Sequence, residues 1–488
     1  MIKKLPLVLI LFCSSIVFAQ EKLGEIQPSL KTSSKTIRGS LSIVNNLNND
    51  IVTFISNKDS IYSYLTNSKF ESKKQLSIKR NRRFSGIVGK TYTENTYTFI
   101  VSDKNLKRFK QVEFDFKKDT AYYKNESFSA KNMTLLQSVN LGDKTHLLFL
   151  KNNSSNLVVK TYFNDGKSTL KSFNLKGQKL LLNNSKETSL SKLLFNVLYN
   201  DYTITKLHSI ELENNSVENK LQTIPIESAT DFTKLYVVDA TIKIVFDKNK
   251  FYTQILSLDL ANESFSLQKI KKPFFEVASK NKTTNSFLLN NMLFIVACTK
   301  KQLKINVHNV IDESIIKSFV ADVAKPFPFK DYEMVIKGKK HRKSTSNQKF
   351  LNNLYYSDIG IFVEQQPESY QITVGGKKPA TIDNPMIGVN MSNLTYLYSV
   401  NNYRGFLDPH AYILNVYRKV KSNYLTYSVD LDLNPSSSKI KENVYHKISQ
   451  FLGNSDLKNN ESHFFRLQQK TVYSYYDRKN NSYKFLAF

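Results

Sequence analysis

The sequence predicts an all-β chain built as a repeat array, and three observations carry that expectation. Six segments share one pattern: an apolar strand, a polar turn and a second strand in which apolar and polar residues alternate. Their turns recur at nearly constant spacing, and sustained helical periodicity is almost absent. The segments are residues 51–70, 98–116, 146–163, 193–212, 242–260 and 292–310, with turns beginning at Asn57, Asp103, Lys151, Asn200, Asp247 and Thr299. The intervals are 46, 48, 49, 47 and 52 residues.

The chain opens on an export signal. Lys3 and Lys4 precede an apolar stretch over 5–18, and Val17 and Ala19 occupy positions −3 and −1 of a cleavage site. Residues 1–19 are the expected signal peptide, and 20–37 the N-terminal leader of the mature chain. Cys13 follows Phe12, where lipoprotein processing takes Gly or Ala. No later run approaches the roughly eighteen apolar residues of a membrane span.

Within each repeat the first strand is nearly all apolar, as a strand covered on both faces must be. The second alternates, as in Gln254-Ile255-Leu256-Ser257-Leu258-Asp259-Leu260, which suits a strand with one face towards solvent. A third strand follows over 264–270, 310–319 and 210–224, and short strands precede the hairpins, as at 91–93. Beyond residue 320 the rhythm loosens. Residues 358–374, 412–433 and 471–488 read as three further hairpins, with 326–350 as a long basic inserted loop and 375–390 as a second loop. Residues 187–197 and 442–452 are weak helix candidates. The last strand is expected to pair with one at 36–45 and so close the array.

Four short strands per unit of about 48 residues resemble a β-propeller blade. The resemblance spans 38–488 and is one of architecture, because the chain has no Trp for a WD dipeptide and its one Gly-Gly pair, Gly375-Gly376, makes no kelch pattern. It implies seven or eight blades stacked around an axis, since one blade cannot bury both faces of its sheet. The "VFAQ" signal end and the composition resemble exported proteins of Gram-negative Bacteroidetes. That resemblance implies a periplasmic or extracellular location.

The net charge is +29. Anionic glycan, lipopolysaccharide or an envelope protein are the partners such a surface suits, and export argues against nucleic acid. Asn is about one residue in ten, with Lys, Ile, Tyr and Phe also abundant, so an AT-rich genome is the favoured source of the lysines over a dedicated polyanion surface. Cys298 is the one cysteine of the mature chain, so no internal disulfide holds the fold, and its apolar strand predicts a buried thiol.

Two basic clusters are the candidate binding residues: Arg80, Arg82 and Arg83, beside Lys73, Lys74 and Lys79, and Lys337, Lys339, Lys340, Arg342 and Lys343. Arginine grips phosphate or carboxylate with paired hydrogen bonds, which makes the first cluster the sharper one. Solvated loops are the alternative for both. The seven histidines show no metal spacing, and Asp430-Leu431-Asp432-Leu433-Asn434 lacks the glycine and distal glutamate of a calcium loop. Phe84 stands where the Gly86-Ile87-Val88-Gly89-Lys90-Thr91 segment would need a glycine to be a phosphate loop. No cofactor, metal site or catalytic set is expected.

Glu364, Asp383 and Asp408, in or beside irregular stretches, are the carboxylates to inspect for glycosidic cleavage. Tyr355, Tyr356, Tyr403 and Phe406 are either blade core or a sugar platform. The expectation is an exported, non-enzymatic binding or scaffold module of the cell envelope that recognises protein or glycan. The alternative is a polysaccharide hydrolase or lyase with its residues at the propeller axis.

Overall fold

The structure, a computed structural model, describes residues 20–29, 37, 39–141, 143–183, 185–191, 193, 208–211, 224–238, 240–325, 327–329, 331–337, 341–343, 346–378, 414, 416–453, 462–468 and 470–488. Among them lie seven sheets of four or more strands. The first joins Gly39–Val44, Ile51–Ser56, Ser60–Thr66 and Ser72–Lys79, each strand antiparallel to the next. The second (84–129), third (133–174) and fifth (283–322) repeat that order. The fourth (233–271) does so too, and adds His208–Glu211 parallel to Thr233–Val238. This is a propeller-type repeat fold, and the hairpins expected over 51–70, 98–116, 146–163, 242–260 and 292–310 are the two middle strands of successive blades.

The expected burial pattern holds. Every residue of Ile51–Ser56 is buried, whereas all but one residue of Ser264–Lys271, at the outer edge of the fourth blade, are exposed or only partly buried. Turns are closed largely by Asn and Asp side chains, which explains how a chain with only 14 glycines makes so many. Asn57 Oδ1 accepts from the Asp59 and Ser60 amides at 2.9 and 2.8 Å, and Asn249 Oδ1 does the same for Phe251 and Tyr252.

Blades are joined by apolar seams. Phe54 of the first packs on Phe99 and Phe114 of the second, and Phe109 of the second on Phe149 of the third. Leu148 and Val159 of the third share a core with Leu235 and Ile244 of the fourth. The fourth, fifth and sixth blades share one large cluster that includes Tyr236, Phe287 and Ile361. Burying surface between neighbours is what lets short sheets hold together without disulfides.

The ring closes through the chain ends, though not as the sequence suggests. The seventh sheet runs Glu21–Ile26, Ser482–Ala487, Lys470–Asp477, Ser462–Leu467. Its outer strand therefore comes from the segment read as a leader. Residues 39–44, expected to close the ring, form the first strand of the first blade instead. Gly24 allows the exchange: a Cβ there would stand 2.6 Å from Phe70 Cβ, and Phe70 stacks on Phe485 at 4.3 Å. Tyr483 Oη donates to Ser40 Oγ at 2.7 Å across the seam.

The sixth sheet corrects three further readings. Its order is His341–Lys343, Tyr332–Lys337, Ser422–Asp430, Ser369–Lys377, Asp358–Gln365. The stretch read as an inserted loop over 326–350 thus supplies two outer strands, and the helix Asn347–Tyr355 follows. Residues 412–433 give one long strand that pairs with Pro435–Ser436, not a hairpin of equal arms. Gly375 and Gly376 lie inside a strand. The helix expected near 442–452 is Val444–Gly453. Most of the fourth hairpin, 193–212, and most of the loop over 375–390 lie outside the described residues.

Candidate functional site

The sixth blade has two unlike faces. Ile361, Val363, Ile372, Val374, Leu425 and Tyr427 belong to the apolar core shared with the fifth blade. Alternate residues point the other way, and there the cross-strand rows read Glu333–Thr426–Thr373–Phe362 and Ser428–Gln371–Glu364. A face this polar would be solvent-facing in most sheets. Here Thr426, Gln371 and Glu364 are buried, and they line a cavity of about 460 Å³.

Two elements roof it. One is the short helix Ile226–Ala229, which carries Glu227. It approaches so closely because Gly360 and Gly375 face each other across the strand pair. A Cβ on Gly360 would lie 2.8 Å from Ala229 C, and one on Gly375 2.8 Å from Ile226 Cγ1. Asn285 of the fifth blade fixes the helix exit by donating to the Thr230 and Ile359 carbonyls at 2.9 and 2.7 Å. The other roof element is the segment leading into Val444–Gly453. Gln371 clamps it, accepting from the Lys441 amide at 2.7 Å and donating to the Lys441 carbonyl at 3.2 Å.

The lining is strongly acidic. Glu227, Glu333, Glu364 and Glu442 reach the cavity, with Lys441, His446, Tyr417 and Tyr424. Lys441 Nζ stands 3.6 Å from Glu364. Glu227 is 1% exposed. Its Oε1 accepts from Lys337 Nζ and Ser422 Oγ, each at 2.5 Å, while its Oε2 is buried and meets no donor among the described residues. Lys337 also donates to the Tyr417 carbonyl and sits 3.9 Å above the Tyr417 ring. Burial pushes the Lys337 ammonium below its ordinary range, against the pull of Glu227. Burial likewise lowers the His446 imidazole, with Glu442 opposing, so the ring is biased towards neutrality. The phenols of Tyr417 and Tyr424 are pushed well up by burial.

Chemically, this is a set of hydrogen-bond acceptors beside aromatic rings, of which Glu227 and Glu364 are buried and Glu442 is exposed. Such a set favours donors and positive charge over anions. Among the described residues no cluster of three or more metal-ligating side chains occurs, and no helix is long and apolar enough to cross a membrane.

The residues singled out from sequence are scattered. Arg80 is buried and donates to the Asn57 carbonyl at 3.1 Å, so it braces the first blade and is not available to a ligand. Arg82 and Arg83 are exposed at the turn between the first and second blades, with Arg83 6.0 Å over the Phe84 ring. Lys73 and Lys74 are paired with Asp50 and Asp119. Lys337, expected in a solvated basic loop, is a buried partner of Glu227. Arg342 and Lys343 lie on the outermost strand of the sixth sheet, and Lys339 and Lys340 lie outside the described residues, as do Asp383, Asp408, Tyr403 and Phe406.

Glu364 does reach the cavity, though it lies on a blade face. Tyr355 donates to the Lys280 carbonyl, and Tyr356 is 64% exposed. Cys298 is buried, and burial raises its thiol far above the usual range. Asp430 forms a turn, accepting from the Asn434 amide at 2.7 Å. Sequence reasoning missed Glu227, Glu333 and Glu442. The one local signal was polar alternation in the sixth-blade strands, which reads equally as solvent exposure.

No protein-family model matches this chain, and no curated protein does. Among solved structures, it is similar to the Nup133 β-propeller domain of Vanderwaltozyma polyspora at 9% identity and a TM-score of 0.33, covering 94% of this chain and 99% of that one. The Dos1 propeller matches at 8% identity and a TM-score of 0.32, over 93% and 78%. An ACO/RPE65 chimera matches at 9% identity and 0.26, over 57% of this chain and 59% of its own length. The propeller assignment stands on the seven sheets and their closure.

Proposed function

We propose that this protein is an exported binding module of the cell envelope whose ligand enters the cavity beside the sixth blade. One observation carries the reading. Where Phe54, Phe99 and Phe114 fill the seam between the first two blades, here Glu227, Glu364, Gln371 and Thr426 are buried around an unfilled volume of about 460 Å³. Burying such groups costs free energy unless something returns their hydrogen bonds, and a polar ligand would do so. The exposed Arg82 and Arg83 and the +29 charge fit attachment to anionic envelope glycan or lipopolysaccharide.

The test is native mass spectrometry of the mature chain taken from its envelope fraction. T426W, which fills the cavity, serves as control. A retained species in the wild type that T426W lacks supports the reading. If neither retains a species, and no envelope extract raises the wild-type melting temperature, the reading fails.

A polysaccharide hydrolase or lyase is the second reading. It is favoured by one fact, that Glu364 shares its cavity with three further glutamates and His446. Loss of polysaccharide turnover in E364Q, with folding intact, is the result it requires.

A further inference from the structure

We infer that a second copy of this chain pairs with the outer strand of the fifth blade, edge to edge about a two-fold axis. That strand is Ile315–Asp322, and among the described residues it pairs only with Gln302–Asn309 on its inner side. Val323 donates to the Lys301 carbonyl at 3.0 Å, the next rung of the same ladder. Antiparallel alternation therefore turns the amides and carbonyls of Ile316, Ser318 and Val320 away from the sheet. Such an edge is a template for another strand.

Its side chains set this edge apart. Among the described residues ten large apolar side chains are exposed, and four of them are Ile311, Ile315, Ile316 and Val320. A fifth, Leu431, lies in the turn whose Asn434 Oδ1 accepts from Lys317 Nζ at 2.8 Å. That contact draws the one lysine of the strand sideways, towards the sixth blade. The outer strand of the first blade instead turns Lys73, Lys74 and Lys79 to solvent, a charged rim that keeps edges apart.

Charge selects the occupant. Asp312 and Glu313 stand exposed before the strand. Lys301 and Lys325 stand exposed at its far end, close enough to act on Asp322. Antiparallel pairing about a two-fold axis lays the acidic end of each copy beside the basic end of the other. Without such pairing, two chains of net charge +29 repel each other. One register also completes the apolar row. With Ser318 opposite its own counterpart, Ile316 of each copy meets Val320 of the other, a β-branched cross-strand pair.

Sedimentation equilibrium of the mature chain should show a dimer. I316K/V320K, which alters exposed positions only, should weaken it at least tenfold with the melting curve unchanged. E313K and K325E should each weaken it at least threefold, and E313K/K325E, which reverses both charges, should restore it. The register has its own readout. S318C should oxidise to a covalent dimer, because the facing Cα atoms would stand about 5.5 Å apart. S77C, on the outer strand of the first blade, should not, and the buried Cys298 takes no part. A dimer that survives I316K/V320K, a mass that grows beyond two copies, or S318C crosslinking no faster than S77C overturns the inference. A monomeric wild type overturns it too. Maleimide labelling of S318C then tells a free edge, left to a different protein, from one covered by the chain itself.

Discussion

Lys337 Nζ lies 2.5 Å from Glu227 Oε1, with both side chains closed to solvent, and this pair ties the short helix before the fourth blade to the outer strand of the sixth. Removing one partner leaves the other charged and buried, which costs about 3–5 kcal/mol; removing both leaves no stranded charge. K337M is therefore expected to lower unfolding free energy by about 3 kcal/mol in urea, and E227Q/K337M to recover most of that. A single and a double variant of equal stability would mean that the pair is not coupled.

The facing glycines make a second prediction. G360A places a methyl 2.8 Å from the Ala229–Thr230 backbone, which has no flexible end to swing aside. The short helix must lift, at a cost of about 1–3 kcal/mol. Because Glu227 rides on that helix, G360A should also weaken any ligand of the cavity. Denaturant midpoints and calorimetry on one sample check both parts.

Much of the array was legible because each hairpin is local: Ile51–Ser56 and Ser60–Thr66 declare themselves by burial pattern and by the Asn57 turn between them. The sixth blade was not. Its outer strand, Tyr332–Lys337, precedes its neighbours in the chain, so no local period can announce it. Lys337 reads as solvated from the basic residues around it, and Glu227 and Tyr417, both far away in sequence, make its burial tolerable. Thr373 and Thr426, whose hydroxyls lie 3.1 Å apart, alternate as solvent-facing residues would. What distinguishes a buried polar face from an open one is the element that covers it, and here that comes from elsewhere in the chain. Ring closure failed for a related reason: 21–26 and 36–45 are both short and mixed, and the choice between them depends on Phe70 and Phe485.

Removing residues 20–26 should uncover the edge of Ser482–Ala487 and one side of the Phe70–Phe485 stack. The lost burial and strand pairing amount to about 2–4 kcal/mol. A lowered melting temperature, restored by adding a peptide of residues 20–29, is the expected result. Restoration by a scrambled peptide, or no destabilisation at all, would contradict closure by this strand.

Cys298 should resist aromatic disulfide reagents in the native protein, because burial both shields the sulfur and suppresses its thiolate. In urea it should react at the rate of unfolding. A fast native reaction would place the thiol at the surface.

The last prediction concerns Asp247, which holds two buried lysines: Lys272 at 3.1 Å and Lys234 at 3.3 Å. Burial pushes the Lys272 ammonium down to about 8, with Asp247 opposing. In the unfolded chain it returns to its ordinary 10.5. Between those values the unfolded state binds the extra proton, so stability rises with pH across that window. Below pH 8 the penalty of the buried charge is present in full. The rise is bounded by roughly 3 kcal/mol, and the raised phenols oppose it above pH 10, so the useful range is pH 8 to 9.5. Lys282, also brought to about 8 by burial, adds to the slope. In K272M the slope should fall by the share of one proton, because Asp247 keeps Lys234, Thr253 and Ser286 as partners. Asp247 itself is held low by the two lysines despite its burial, so its contribution is lost only as the medium becomes strongly acid. Urea titrations at half-unit pH intervals on the wild type and K272M decide the matter: identical slopes would show that Lys272 keeps an ordinary proton affinity in the folded chain.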